Sequence, residues 1–204
     1  AQASATQPVI LADSGDNPTG GGVGDRAEVL EGLLSRNFVN ALVAGIADLP
    51  ATERCYQHTP GSRLTLRIGA SLDPAGSRPI EVEGEILFLL PTNDSRERQA
   101  VVKIQEVTVV LTAARRPFHN ISDFTRLQLH IPGFKLLVVK SGYLSPELAP
   151  LAHPNLMALS GGSILQDLDK LPMNQLRPPT FPFDRSFSWQ PSIIVSARSP
   201  RETR

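Results

Sequence analysis

The chain has 204 residues, 41% hydrophobic and 20% charged, a composition that suits an ordinary globular protein with one sizeable core. Its 20 basic and 20 acidic residues cancel, so no overall field draws it to nucleic acid or to an anionic membrane surface. No apolar run reaches the roughly 18 residues of a membrane span, and the one cysteine, Cys55, excludes an internal disulfide and suits a reducing, cytoplasmic setting.

The opening "AQASATQ" lacks the basic-then-apolar order of a signal peptide. "QPVILA" then reads as a short buried strand. It runs into "ADSGDNPTGGGVGD", Ala12 to Asp25, which packs three aspartates, one asparagine and five glycines into one junction. A helix is expected next: Asp25 is placed to cap it, Glu28 takes the capping-box position, and Leu30, Leu33, Leu34 and Phe38 recur at helical spacing. "VNALVAGIAD" reads as a second buried strand and "PATERCYQH" as a short helix opened by Pro50. The period then drops to two. In "RLTLRIGA" and "PIEVEGEILFLL" apolar and charged residues alternate, so the two segments should pair as a hairpin across "SLDPAGSR". After the surface turn "PTNDSRERQ", the long β-rich run "AVVKIQEVTVVLTAA" must bend or hold two strands. "ISDFTRLQL" reads as a helix, "KLLVVKSG" as a strand, "SPELAPLA" as a helix, "NLMALS" as a strand, and "SILQDLDKL" as a last helix capped by Ser163. From Pro172 the density of proline predicts an extended tail.

This order predicts an α/β domain: a mostly parallel or mixed central sheet flanked by helices, an inserted antiparallel β-hairpin layer, and a Pro-rich extended C-terminal tail. The domain is expected over residues 1–184, with the tail over 185–204. The Gly-rich loop would leave the C-terminal end of a parallel strand, where α/β sheets bind ligands, and its glycines would let backbone approach a ligand closely. It also has a plainer reading, in which glycine and aspartate only shape a turn. Gly20, Gly21, Gly22 and Gly24 do not make the GxGxxG spacing, no lysine follows to make a Walker loop, and Asp13, Asp16 and Asp25 would repel an anion. Carboxylates and an amide suit instead a cation, a metal-bound substrate, or a substrate amine or hydroxyl.

Other constellations are sparse. His58, His119, His130 and His153 are scattered without HExxH or HxH spacing, no GxSxG elbow occurs, and "LSGGS" around Ser160 reads as a turn. Cys55 reads as a buried structural thiol. Arg115, Arg116, Lys140 and Ser141 fall at strand C-termini, where they either reach a ligand or merely keep strand ends soluble.

Taken in order, "ADSGDNPTGGGVGD", "VVLTAARRPF", "LLVVKSGYLSPELAPLA" and "LDKLPMNQLRPPTFPFD" resemble the C-terminal domain of the microcystinase C (MlrC) type metallopeptidases, from Pro8 to Asp184. The resemblance implies a zinc hydrolase whose metal ligands lie in a larger N-terminal domain, with no ligand or cofactor contributed by this chain. It implies that this domain packs on that partner with the acidic Gly-rich loop facing a shared cleft, and that it is inactive alone. By the same resemblance Asp16 and Asn17 are the catalytic candidates, and Asp13, Gly20, Gly21, Gly22, Arg115 and Lys140 the substrate-binding ones. A peptide or small amide is the implied substrate, and a homo-oligomer stays open. The alternative is a stand-alone small-molecule or nucleotide-binding module using the same loop; a pure interaction domain is the third reading.

Overall fold

In chain order the elements are β1 (Val9–Asp13), α1 (Glu28–Leu34), β2 (Ala41–Ala47), α2 (Leu49–Tyr56), β3 (Arg63–Ile68), β4 (Ile80–Leu89), β5 (Gln99–Ile104), β6 (Val107–Thr112), α3 (Ile121–Thr125), β7 (Leu136–Val139) and β8 (Asn155–Ala158). The structure is a computed structural model and describes residues 1–171 and 174–194. All eight strands join one mixed sheet in the order β3-β4-β5-β6-β2-β7-β1-β8. From β6 to β8 the neighbours are parallel; from β3 to β6 they are antiparallel. The expected mixed α/β sheet is therefore present, and the antiparallel hairpin extends its edge.

The sequences explain the two halves. Every residue of β2, β6 and β7 is buried, as strands covered on both faces require. Their period of two sorts the core: Val9, Ala41, Val43, Leu136 and Val138 pack with Leu30, Leu33 and Leu34 of α1 and with Cys55 of α2. Ile10, Ala12, Leu42, Ala44, Leu137 and Val139 face the opposite way, toward Phe118, Phe124 and Leu127. β3 alternates exposed and buried residues, and its register with β4 sets Arg63 opposite Glu85 and Ile68 opposite Ile80, as the hairpin reading requires. The long β-rich run resolves into β5 and β6, joined at Gln105, whose φ of +52° makes the tight reversal.

Several helix expectations need correction. Asp25 does not cap α1: the N-cap is Ala27, which makes no side-chain cap bond, while Glu28 pairs with Arg26. The Asp25 carboxylate turns instead to the N–H groups of Leu72 and Asp73, at 2.8 and 2.9 Å. "SPELAPLA" forms only a 3-10 turn, Ala149–Leu151, because Pro150 removes a helix donor at its centre. "SILQDLDKL" holds only the 3-10 turn Leu168–Lys170: Ile164, Leu165 and Leu168 stand at helical spacing but are left partly or largely uncovered, so a helix there has no packing to stabilise it. α3 stops at Thr125, and Gln128 with φ +60° reverses the chain; its Asn120–Asp123 capping box was not anticipated.

The two edges of the sheet differ. β3 carries exposed Arg63 and Arg67, charges that discourage pairing with another strand. β8 has none; Leu156 and Met157 are exposed there, as is Leu159 just beyond. Pro154 and Ala158 accept from Ile10 and Ser14, so the alternation of a parallel pair turns the main-chain groups of Asn155 and Met157 outward.

Among the described residues no helix is long and apolar enough to cross a membrane. The chain divides into two compact units, Ala1–Lys170 and Leu171–Arg204. In the second unit residues 174–194 contain no helix or strand, while Pro172 and Met173 lie outside the described residues.

α2 is built from its cap inward: the Asp48 side chain accepts from Ala51 N at 3.0 Å, and Pro50 occupies the first turn. Its Cys55 is fully buried, and burial, with the nearby Asp48 charge, pushes the thiol up to about 12. Native protein at pH 8 is accordingly expected to resist a thiol-reactive disulfide reagent and to react stoichiometrically once unfolded. Rapid labelling of the native protein would contradict this burial.

Candidate functional site

The parallel register that sets Ala12 beside Val139 brings the next residues, Asp13 and Lys140, to the same C-terminal edge of the sheet. There the Lys140 Nζ lies 3.1 Å from Asp13 Oδ2 and 2.9 Å from Asp16 Oδ2. The three side chains are only 3%, 3% and 1% exposed in the order Lys140, Asp13, Asp16. Burial by itself would pull the lysine down, but Asp13 and then Asp16 outweigh it and hold the ammonium above its ordinary range. One ammonium against two carboxylates leaves the cluster one negative charge in excess, so its hydrogen bonds matter.

Those bonds organise the loop. Asp16 Oδ1 accepts from Gly24 N at 2.7 Å, and Oδ2 accepts from Arg26 N at 2.8 Å as well as from Lys140. Asp16 therefore ties the start of the loop to its end. Asp13 Oδ1 accepts from the Ser160 hydroxyl, whose oxygen accepts in turn from Gly15 N at 3.0 Å. Asn17 caps a 3-10 turn, Pro18–Gly20: its Oδ1 accepts from Thr19 N at 3.0 Å and Thr19 Oγ1 at 2.7 Å. Its carbonyl accepts from Gly20 N and Gly22 N. Gly21 takes the left-handed conformation, φ +103°, and a methyl group on Gly22 would come within 2.7 Å of the Asn17 backbone. Arg115 Nη1 donates to the Gly22 carbonyl at 3.1 Å. Only Thr19, Gly20 and Gly21 at the loop tip are exposed.

All eight candidates thus meet in one region. Asp13, Asp16 and Lys140 form its buried ionic base, while Asn17, Gly20, Gly21, Gly22 and Arg115 form or brace the loop above. Sequence reading missed Ser160, which it treated as a turn residue, because only the β1–β8 pairing brings it to Asp13. Among the described residues no three His, Cys, Asp or Glu side chains converge on a point that could hold a metal ion. Asp13 and Asp16 already share an ammonium, so these carboxylates do not fit a metal centre.

The chain matches the family described as "MlrC C-terminus" over residues 11–175. It belongs to that family. The MlrC C-terminal domain is also 34% identical, over 89 residues, to microcystinase C of Sphingomonas sp.. That match covers 44% of this chain and 18% of the relative. Its fold resembles the crystal structure of a protein from Mesorhizobium sp. BNC1 provisionally described as a metallopeptidase, with a TM-score of 0.73 at 18% identity. The likeness covers 90% of this chain and 39% of the other. The chain thus spans well under half the length of either relative.

A second buried acidic pair braces the far end of the loop in this MlrC C-terminal domain. Asp48 Oδ2 accepts from Gly69 N at 2.7 Å, and Asp25 holds the following segment through Leu72 and Asp73. Asp25 Oδ1 is buried and finds no partner among the described residues. Burial pushes Asp48 above the usual carboxylate range; the Ala51 and Gly69 N–H bonds offset part of this, and the Asp25 charge adds to it.

Proposed function

We propose that this domain is the C-terminal part of an MlrC-like zinc metallopeptidase or amide hydrolase, in which the Asp16–Gly22 loop forms one wall of an active site completed by a metal-bearing N-terminal domain. The match to the MlrC C-terminus family over residues 11–175 carries this reading. The loop's position at the C-terminal edge of β1 and β7 supports it, because that edge is where α/β sheets seat ligands. A covering partner domain is supported by the apolar β8 edge and by Tyr143, which is 77% exposed close to the loop's lysine anchor. The zinc of the parent would be held by residues outside this chain, so the chemistry assigned here is that of positioning. Lys140 and Asp13 fix the loop's base, Asp16 and Arg115 fix its far end, and the tip at Thr19 to Gly21 meets the substrate. Asp16 acts on substrate through the loop it shapes, since its carboxylate is buried under backbone donors.

The test compares the parent protein with residues 1–204 alone on blocked peptides and small amides. The parent is expected to hydrolyse them and to lose activity with a chelator, while the isolated domain stays inactive. A parent with no amide-bond activity across such a panel, or an isolated domain that cleaves by itself, would sink the proposal.

A further inference from the structure

Asn17 is only 7% exposed, and its side-chain oxygen is committed to two Thr19 donors, which fixes the amide plane and leaves Nδ2 on the side opposite those donors. That nitrogen forms no hydrogen bond with the described residues and is not sealed from solvent, so it is open to an incoming acceptor. It sits in a slot between two glycines: a methyl group on Gly20 or on Gly142 would lie 3.1 Å from Asn17 Nδ2. Neither glycine has a left-handed φ, so the backbone would admit alanine at both positions. What alanine would take is the space around the amide. A second amide nitrogen, Gln166 Nε2, lies 3.3 Å from the same Gly142 methyl position, and Ile164 lines the Gly20 side at 3.4 Å.

We propose that this slot is a carbonyl-binding subsite, in which Asn17 Nδ2, assisted by Gln166, donates to the oxygen of a neutral amide; the assignment to substrate rests on the hydrolase reading above. Three features select that ligand. The slot offers donors, so it takes an acceptor. The Asp13–Lys140–Asp16 cluster at the root of the same loop carries an excess negative charge, which disfavours carboxylate or phosphate. Ile164 and the exposed Tyr143, next to Gly142, supply apolar surface for the groups flanking an amide. The Gly142 and Gln166 contributions come from segments after β7 and β8, far from the loop in sequence.

Titrating 15N-labelled domain with N-acetyl-leucinamide, with sodium acetate as the anionic control, tests the subsite directly. The Asn17 side-chain amide signals are expected to shift saturably with the amide and not with acetate. Asn17→Asp keeps both Thr19 bonds but adds a carboxylate next to Asp16 in an already negative cluster, so it should lower the melting temperature while the 15N spectrum still reports a folded domain, and it should abolish the shift in its neighbours. Gly142→Ala should weaken binding by about tenfold or more. Absence of any saturable shift, an equal response to acetate, or undiminished binding by Asn17→Asp would overturn the subsite. Peptide cleavage by the parent is scored separately. A parent that cleaves normally with Asn17→Asp overturns the subsite and leaves the hydrolase reading standing; a parent inert to amides whose domain still binds N-acetyl-leucinamide does the reverse.

Discussion

Lys140→Met is expected to destabilise the domain by about 3–5 kcal/mol, because it leaves Asp13 and Asp16 buried with no cation between them. For a chain of this length that corresponds to a fall of roughly 6–20 °C in the midpoint of thermal unfolding. The side-chain volume is nearly conserved, so a cavity does not account for the loss. Restoring the balance with Asp13→Asn in the same chain should recover part of it, since one carboxylate then disappears with the ammonium. The pH dependence gives an independent reading. Lys140 in the folded protein titrates above its ordinary 10.5, so its contribution is complete below that pH and is lost as pH rises through the higher folded value. Wild type should therefore show an alkaline loss of stability that Lys140→Met lacks. Equal midpoints for wild type and variant at neutral pH would mean that the cluster contributes nothing.

The second large effect is expected from Asp16→Asn, a change that would pass for conservative at most turns. Here both carboxylate oxygens are acceptors: Gly24 N–H approaches one, and Arg26 N–H and Lys140 approach the other. Whichever way the new amide turns, its NH2 group meets a donor. We expect a loss of about 2–4 kcal/mol, combining a broken charge-assisted bond with a buried donor left unpaired. Asp25→Asn is the matched control. One Asp25 oxygen is already without a partner, the other keeps Leu72 and Asp73, and the charge facing Asp48 is removed. Its cost should stay within about 1 kcal/mol. Urea denaturation of the two variants side by side decides the matter, and a smaller loss at Asp16 than at Asp25 would remove Asp16 from its place as the loop's anchor.

How much of this was legible in the sequence follows from the range of each interaction. The leucines of α1, the alternation of β3 and β4, and the strand-to-loop junction at Asp13 are encoded within a few residues, and they were read correctly. The start of α1 was not. An aspartate three residues before Glu28 has the spacing of a cap, but the Asp25 carboxylate is taken by N–H groups some fifty positions away. Lys140 was recognised as a polar group at a strand end, yet nothing local says that β7 inserts beside β1 and delivers the amine between two aspartates. Pro150 was visible inside "SPELAPLA" and should have argued against a helix there. Ser160, Gly142 and Gln166 carry no local signal at all, because their meaning depends on how β7 and β8 flank β1.

The Asp13–Lys140 contact spans 127 residues of chain, and Asp13 to Ser160 spans 147. The loop's geometry is therefore written by segments that leave the ribosome long after the loop itself. A nascent chain that has exposed α1, β2 and the whole antiparallel half of the sheet still has two uncompensated aspartates where the loop should close. Contacts of such sequence separation form late and slowly. The glycines and carboxylates of the loop must consequently be compatible with a long solvent-exposed interval before β7 arrives, and a fragment ending before Lys140 would carry the loop's sequence without its shape. Closure of the ammonium between the two aspartates then marks the docking of β7, with β8 and the Ser160 bond to Asp13 still to be added after it.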